Sequence, residues 1–297
     1  MLTISNIPPE RRQPRGLDQV MSVLSRGLAT QGVDFVLIGA VARDVQLDAV
    51  LGSGPRRGTS DVDLAVLVGS EAQYAALREW LIAHEAFTAP RSSAFCLLHG
   101  PTGVVVDLMP FGGIEAVDGS VRVTGPGLTR ISVVGVAEAV AQPVLLAVPE
   151  GAPWQVVSLP GLVLLKLLAW QDRPEQRGKD GSDLRLIVQY YGELADAELF
   201  DKHADLLDLP DDTGGYLTLA GAQLLGRQMQ QLVSSNQTLQ GRLVDLLNQE
   251  ATAGRSSRLA QAMRVSTGLT DKAPTLDWCV AVVAALLAGL LDDWVAG

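Results

Sequence analysis

The chain has little cysteine and histidine and lacks two well-known catalytic motifs. Of its 297 residues only Cys96 and Cys279 are cysteines, and their wide separation argues against a disulfide framework and a cysteine zinc site. The three histidines, His84, His99 and His203, do not have the spacing of metal ligands. Neither a Gly-x-Ser-x-Gly nucleophile elbow nor a Walker phosphate loop is present. These absences argue against zinc chemistry, a serine hydrolase of that type and a P-loop NTPase.

A hydrophobic run long enough for a membrane span is also missing. The longest apolar stretch, residues 278–291, falls short of the roughly 18 residues that a bilayer requires, and aspartates flank it. Residues 1–16 are polar and contain three arginines, without the apolar segment of a secretion signal. We therefore expect a buried helix at 278–291 and a cytoplasmic protein without membrane contact.

Basic charge is in deficit over the whole chain. The formal net charge is -10 and the isoelectric point is near 4.8, so the overall field repels polyanions. Any phosphate-bearing partner must therefore be held by a local cluster of basic residues. Apolar types make up 47% of the residues and charged types 19%, which excludes a disordered chain and indicates a globular protein.

Local patterns divide the chain into a mixed first part and a helical second part. We predict an α+β protein with a mixed β-sheet flanked by helices at 17–159, followed by an all-helical region at 160–297. Helices are predicted at 17–31, 41–51, 71–84, 161–170 and 182–191, strands at 34–38, 61–68, 95–98, 104–109 and 121–123, and a hairpin at 144–148 and 155–158.

The chemistry of the chain is expected at a pair of acids that begins a strand. Asp61 and Asp63 are two residues apart, so on a strand they share one face, which is costly unless a cation lies between them. Carboxylate pairs of this kind hold Mg²⁺ together with substrate phosphates, although two solvated acids at a strand end would give the same pattern. Asp107 interrupts a second apolar strand, and a carboxylate there needs a partner or a metal. Asp107 is the expected third ligand.

A phosphate-binding element is predicted at a strand-to-helix junction. Gly39 and Ala40 lie at this junction, where the backbone N–H groups of a helix N-terminus suit a phosphate, although an ordinary turn would also explain the glycine. Arg43, Arg57 and Thr59 would add charge and a hydroxyl group around the same point. The glycine-rich segment 52–58 is expected to be a loop at the rim of the site.

These motifs together resemble the nucleotidyltransferase fold of polymerase-β-like enzymes. More narrowly, the chain resembles the AbiEii/AbiGii toxin family, the nucleotidyltransferases of type IV toxin–antitoxin and abortive-infection systems. The narrower resemblance rests on the segments 106–115 (VDLMPFGGIE), 159–170 (LPGLVLLKLLAW) and 179–184 (KDGSDL), and the motifs span about residues 33–191. Many nucleotidyltransferases have serine or glycine where this chain has Ala40, so one hydroxyl group is missing while the backbone donors remain.

The resemblance implies further site residues in the helical region. Lys166 would contact the nucleotide phosphates, and Lys179 and Asp180 would complete the site from the next helix. Judged by its pattern alone, a lysine in an apolar helix either extends its ammonium group to the surface or reaches a binding site, and the pattern favours the surface. If it contacts phosphate, replacing it by alanine should weaken nucleotide binding and leave the fold intact. Asp183, three residues after Asp180, would cap or orient the site.

The implied activity is metal-dependent transfer of a nucleoside monophosphate. Asp61, Asp63 and Asp107 would hold Mg²⁺, with Mn²⁺ as the alternative ion, and Asp107 would also serve as a base. The substrate would be an NTP and the acceptor an RNA such as tRNA, or a protein, with a cognate antitoxin as a partner. Two alternatives stay open: a catalytically silent nucleotide- or partner-binding module of this fold, and a small-molecule nucleotidyltransferase of the antibiotic-modifying kind.

Overall fold

The computed structural model describes residues 2–3, 7–8, 11–51, 59–149, 151–207, 215–265 and 273–292. The chain divides into two compact units, Met1–Ser158 and Leu159–Gly297, which are described separately below. Among the helices of these described ranges, none combines the length and the apolar character that crossing a membrane would require.

The first unit consists of ten strands and four helices in its described residues. The helices are α1 (Leu17–Thr30), α2 (Gly39–Leu51), α3 (Glu71–His84) and α4 (Val136–Ala139). The strands are β1 (Leu2–Thr3), β2 (Phe35–Ile38), β3 (Asp61–Leu67), β4 (Phe87–Thr88), β5 (Cys96–His99), β6 (Val105–Phe111), β7 (Ser120–Arg122), β8 (Arg130–Ser132), β9 (Val144–Ala147) and β10 (Trp154–Val156).

Eight of these strands form one mixed sheet in the order β1-β9-β10-β2-β3-β6-β5-β4, and β7 and β8 form a separate antiparallel pair. β3 is parallel to β6, whereas β2 and β5 run antiparallel to their neighbours β3 and β6. The predicted hairpin is confirmed as the antiparallel pair β9 and β10. Thus β3 and β6 lie side by side in the interior of the sheet, and their first residues are at the same edge.

Alternation along β3 and β6 separates an apolar face from an acidic one. Val62 and Leu64 on β3 are fully buried, as are Val106 and Leu108 on β6, and they contribute to the core. Because successive side chains of a strand point to opposite faces, the aspartates between them point the other way. The hydrophobic effect that fixes the register of the two strands therefore also fixes the face on which the acids lie.

The predicted strands and helices of the first unit are confirmed to within a few residues, but short elements were not predicted. β1, β4 and β8 have two or three residues each, and α4 has four. Such segments are too short to show a hydrophobic period. The predicted rim loop at 52–58 lies outside the described residues.

The second unit is helical throughout its described residues, as predicted. The helix expected at 278–291 is confirmed, and it buries Cys279, Val282 and Leu286. It approaches another helix so closely that a Cβ atom on Gly289 would lie 1.9 Å from the backbone oxygen of Gln223. The helices are α5 (Leu159–Asp172), α6 (Gly178–Leu194), α7 (Asp196–Lys202), α8 (Tyr216–Val233), α9 (Gln237–Thr252), α10 (Arg258–Met263) and α11 (Leu276–Leu290).

Candidate active site

Three aspartates meet at the edge of the sheet where β3 and β6 begin. Asp61 and Asp63 share one face of β3, and Asp107 on β6 is the direct register partner of Asp63. One carboxylate oxygen from each of the three lies within 4.8 Å of the others, and all three residues are half-buried. The structure thus brings together the three residues predicted as metal ligands, although Asp107 lies 44 residues after Asp63 in the sequence.

Neighbouring side chains hold two of these carboxylates. The Thr59 hydroxyl donates a hydrogen bond to Asp61 Oδ1, at 2.9 Å. The Cys96 thiol donates one to Asp107 Oδ1, at 2.5 Å, from the adjacent antiparallel strand β5. Burial and the contact with Asp107 raise the pKa of the Cys96 thiol to about 11, so the thiol keeps its proton near neutral pH. Sequence reasoning did not identify Cys96, because its proximity to Asp107 arises from strand pairing.

A layer beneath the acids supports strands β5 and β6. Arg78 Nη1 on α3 donates a hydrogen bond to the backbone oxygen of Cys96, at 3.0 Å, and the Tyr74 hydroxyl donates one to the backbone oxygen of Leu108, at 2.9 Å. The Arg78 guanidinium also lies 5.8 Å from the centre of the Tyr74 ring. Burial raises the pKa of Tyr74, whose hydroxyl therefore stays protonated and can donate. Helix α3 thus holds the backbone of β6 just after Asp107 and the backbone of β5 opposite it.

The junction between β2 and α2 touches the acid cluster directly. Gly39 has a φ of +73°, and a Cβ atom there would lie 1.9 Å from Asp63 Oδ2. Ile38, the last residue of β2, is the register partner of Asp63. Only glycine combines this backbone conformation with the space that the carboxylate occupies. The N-terminal backbone N–H groups of α2, including that of Ala40, therefore begin beside Asp63.

This arrangement fits a divalent metal ion. Carboxylate oxygens are the donors that Mg²⁺ and Mn²⁺ prefer, and three of them converge from two strands. Like charges so close together repel one another unless a cation lies between them or one is protonated. Because Gly39 has no Cβ atom, there is space for the Asp63 carboxylate within the cluster. Asp61, Asp63 and Asp107 would hold the ion.

Of the two arginines predicted near the phosphate, only Arg43 lies in the part of the chain that the structure describes. Arg43 on α2 is 1% exposed, and its guanidinium forms hydrogen bonds at 2.5 and 2.8 Å with the carboxylate of the neighbouring Asp44. A contact between Arg43 and a nucleotide stays a prediction. Arg57 lies outside the described residues.

In the second unit, Lys166 is held by two acids. Its Nζ atom lies 2.6 Å from Asp183 Oδ2 and 3.2 Å from Asp180 Oδ1, and the lysine side chain is 10% exposed. Arg177 approaches the other oxygen of Asp180, at 3.6 Å. Lys166 therefore does not extend its ammonium group to the surface, which was one of its two sequence interpretations. Lys179 is exposed on α6, the helix that bears Asp180 and Asp183.

A cavity of about 530 Å³ lies elsewhere in the first unit, between one face of α1 and the β9–β10 turn. Its lining is mainly apolar and includes Pro149, Ala152 and Trp154, and none of the three aspartates is part of it. Arg26, the basic residue of the lining, is paired with Glu85. The cavity lining therefore provides few groups that could bind a triphosphate, and the acid cluster is the better candidate for the active site.

Comparisons with known proteins agree with this assignment. A family model described as "Nucleotidyl transferase AbiEii toxin, Type IV TA system" matches residues 22–282. No curated protein matches the chain.

Three solved structures show distant likeness. They are the antibiotic-resistance factor ANT(2″)-Ia in solution (13% identity, 63% of this chain and 93% of that chain, TM-score 0.34) and its crystal structure in complex with adenylyl-2″-tobramycin (11%, 61% and 88%, 0.35). The third is an antigenic nucleotidyltransferase-like protein from Paracoccidioides brasiliensis (18%, 69% and 93%, 0.38). The family model spans most of the chain and includes both strands that bear the aspartates. By that match, the chain belongs to the AbiEii nucleotidyl transferase toxin family of type IV toxin–antitoxin systems.

Proposed function

We propose that this enzyme transfers a nucleoside monophosphate from an NTP to an acceptor hydroxyl and depends on Mg²⁺, with Mn²⁺ as an alternative ion. The observation that carries the proposal is the convergence of Asp61, Asp63 and Asp107 within 4.8 Å on two parallel strands. Family membership supports the NTP as the substrate and a cognate antitoxin as a partner.

In the proposed reaction the acceptor oxygen bonds to the α-phosphorus. The bond from this phosphorus to the oxygen that bridges to the β-phosphate breaks, and pyrophosphate leaves with the electron pair. Asp107 accepts the proton of the acceptor hydroxyl. Asp61, Asp63 and Asp107 would hold a divalent ion, which would supply positive charge to the phosphates and make the acceptor hydroxyl more acidic. No nucleophile from the protein is required, so the task of the side chains is to bind and orient.

The chain provides donors for the phosphates in both units. In the first unit, the backbone N–H groups at the N-terminus of α2, including that of Ala40, suit a phosphate, and Arg43, Arg57 and Thr59 are the side chains that the sequence offers as further phosphate contacts. From the second unit, Lys166, Lys179 and Asp180 would complete the site. Two carboxylates engage the Lys166 ammonium group, which carries three N–H donors. A phosphate oxygen would take the third, and the family resemblance supports this role.

The acceptor is best sought among RNAs such as tRNA and proteins, as the toxin family implies, in the cytoplasm where NTPs are available. The charge of the chain favours a compact acceptor or a short contact. Lysine and arginine number 11 against 15 acids in residues 1–158, and 12 against 18 in residues 159–297. Neither unit therefore attracts an extended polyanion by its overall field. A small-molecule hydroxyl is the second candidate acceptor, because a small acceptor needs no basic surface.

The test is a label-transfer experiment with the full chain. Each of the four NTPs, labelled at the α-phosphate, is incubated with Mg²⁺ or Mn²⁺ and with total cell RNA, cell protein or aminoglycosides. We expect one NTP to label one class of acceptor in the presence of the ion and none in EDTA. Binding of NTP without transfer to any acceptor would instead support the silent module.

Asp63→Asn is the variant that links transfer to the acid cluster. It should abolish label transfer and the Mg²⁺-induced rise in melting temperature, while the metal-free melting temperature stays equal or rises, because roughly 1 kcal/mol or more of like-charge repulsion is removed. Asp34→Asn is the matched control, since it removes one exposed acid from the residue just before β2. Equal effects of Mg²⁺ on both variants and on the unmodified chain would contradict the metal site.

A further inference from the structure

The Cys96 thiol occupies a defined place beside the acid cluster. It lies on β5 directly opposite Asp107 in the strand register, and its Sγ atom is 2.5 Å from Asp107 Oδ1. The backbone of the cysteine is fixed by the hydrogen bond from Arg78 to its carbonyl oxygen, at 3.0 Å. The backbone of the cysteine is thus held from α3, and its thiol donates to one oxygen of a candidate metal ligand.

We propose that Cys96 is a positioning residue for Asp107: its thiol donates a hydrogen bond that orients the carboxylate for the divalent ion. This inference rests on the metal site in the proposed function and adds to it a residue that the family motifs do not contain. A carboxylate has lone pairs on both oxygens, so a donor at Oδ1 still leaves room for a metal ion. Groups that orient metal-binding carboxylates contribute about 10- to 100-fold to metal affinity.

The opposite side of the cluster has a corresponding donor. Thr59 Oγ1 donates to Asp61 Oδ1, at 2.9 Å, as Cys96 donates to Asp107. The two outer carboxylates are therefore each held by a side-chain donor, whereas Asp63 is confined by the α-carbon of Gly39. Simple packing of a small apolar side chain would not require the S–H group to meet a carboxylate. The cysteine contact is one of the contacts that hold the three acids in place.

The experiment compares Cys96→Ala with Cys96→Ser by titration with Mn²⁺, using the electron paramagnetic resonance signal of free Mn²⁺ and no nucleotide. Cys96→Ala removes the donor and should raise the dissociation constant for Mn²⁺ by about tenfold or more. Cys96→Ser retains an O–H donor and should stay within about threefold of the unmodified chain. Cys279→Ala is the matched control, because it removes the other cysteine, on α11 of the second unit, and should leave Mn²⁺ affinity unchanged.

Activity gives a second measurement that a purely structural role would not reproduce. For Cys96→Ala the Mn²⁺ concentration needed for half-maximal transfer should rise with the dissociation constant, while kcat at saturating Mn²⁺ largely recovers. Melting curves in EDTA establish that both variants are folded. Equal Mn²⁺ affinity of Cys96→Ala and the unmodified chain, or equal weakening in the alanine and serine variants, would overturn the positioning role.

The outcomes also separate this inference from the proposed function. If the unmodified chain binds Mn²⁺ through Asp63 but transfers no nucleotide, the proposed function fails while the Mn²⁺ affinities still decide the role of Cys96. If Asp63→Asn binds Mn²⁺ as well as the unmodified chain does, the metal site is wrong and the role of Cys96 falls with it.

Discussion

Gly39 and Asp63 are so close that a methyl group on the Gly39 α-carbon would overlap the carboxylate. The distance from the position of a Cβ atom to Asp63 Oδ2 is 1.9 Å, and φ is +73°. Steric exclusion at this one position therefore couples the start of α2 to the geometry of the acid cluster. A glycine in a strand-to-helix turn could serve conformation alone, but here it also provides space for a functional side chain.

We predict that Gly39→Ala weakens Mn²⁺ binding about tenfold or more, since it displaces a ligand, and lowers stability by about 1–2 kcal/mol, since alanine is strained at positive φ. Gly103→Ala is the matched control, because Gly103 has a φ of +70° and a Cβ atom added there would meet no described atom within 4 Å. The Gly103→Ala variant should lose stability but should retain its affinity for Mn²⁺. Mn²⁺ titration and urea unfolding measure the two effects, and equal Mn²⁺ affinities would contradict the steric argument.

Lys166 contributes to stability as well as to any binding role. Its ammonium group is the positive charge between Asp180 and Asp183, whose side chains are 6% and 4% exposed. Removing one partner of a buried ion pair leaves uncompensated charge in a poorly solvated place. The expectation from sequence that Lys166→Ala leaves the fold intact is therefore revised.

We predict that Lys166→Met lowers the free energy of unfolding by about 3–5 kcal/mol, and that adding Asp183→Asn recovers part of the loss. Lys179→Met is the control, because Lys179 is an exposed lysine of α6, the helix that bears Asp180 and Asp183, and its replacement should change stability by less than about 0.5 kcal/mol. Urea unfolding curves provide the comparison. A Lys166→Met midpoint equal to that of the unmodified chain would show that the pair is not stabilising.

Helix α8 is joined to its neighbours through Arg227. This guanidinium donates to Asp205, to Asp292 Oδ2 at 2.8 Å, and to His203 Nδ1 at 2.9 Å. Because arginine only donates, Nδ1 must accept, and the imidazole is neutral with its proton on Nε2. Burial and the adjacent guanidinium lower the pKa of His203, and hydrogen bonds from Arg227 lower the pKa of Asp205.

We predict that the second unit loses stability as the pH falls below about 6.5, the ordinary pKa of histidine. The unfolded chain then binds a proton that the folded His203 resists, so stability rises with pH across this window by at most about 1.4 kcal/mol per pH unit. Below about pH 3.9, the ordinary pKa of an aspartate, the unfolded chain also binds a proton that the folded Asp205 resists, so stability falls further.

His203→Gln retains an acceptor for Arg227 without titrating, so the difference in unfolding free energy between pH 7.5 and 5.5 should shrink. His84→Gln, at an exposed histidine of α3, is the control and should retain the full difference. Urea unfolding at the two pH values measures it. An unchanged pH dependence in His203→Gln would show that this histidine is not the titrating group.

The candidate site residues are divided between the two units of the chain. All three aspartates belong to the first unit, whereas Lys166 and Asp180 belong to the second. Hydrogen bonds within the first unit hold its last residues against β2 and α2. Gln46 Nε2 donates to the backbone oxygen of Val157, at 3.0 Å, and the Val157 N–H group donates to Leu37, at 2.9 Å.

We predict that a fragment of residues 1–158 binds Mn²⁺ with an affinity close to that of the full chain but does not transfer nucleotide. The ion needs only the acid cluster, whereas the proposed phosphate contact of Lys166 and the contribution of Asp180 to nucleotide binding are lost. A cooperative urea transition of the fragment establishes that it is folded, and the full chain is the positive control. Transfer by the fragment at the rate of the full chain would show that the second unit has no part in catalysis.

Some of this protein could be predicted from sequence because the relevant patterns are local. Alternation of apolar and acidic residues places Asp61 and Asp63 on one face of β3, and the single acid in an apolar run marks Asp107. Helical periods and the long apolar run at 278–291 likewise predict a helical second unit. Hydrophobic burial acts on each residue through its nearest neighbours, so these features do not depend on the rest of the fold.

The contacts between distant segments depended on topology instead. Nothing in the local pattern places β6 parallel to β3 with Asp107 opposite Asp63, or brings Cys96 on β5 to within hydrogen-bonding distance of Asp107. The partners of Lys166 were equally undetermined, because the same apolar helix could have exposed the lysine or buried it against two acids. Strand order and helix packing are set by the burial of whole faces over the entire unit. For that reason the residue types of the site could be read from the sequence, whereas their mutual contacts required the assembled sheet and helices.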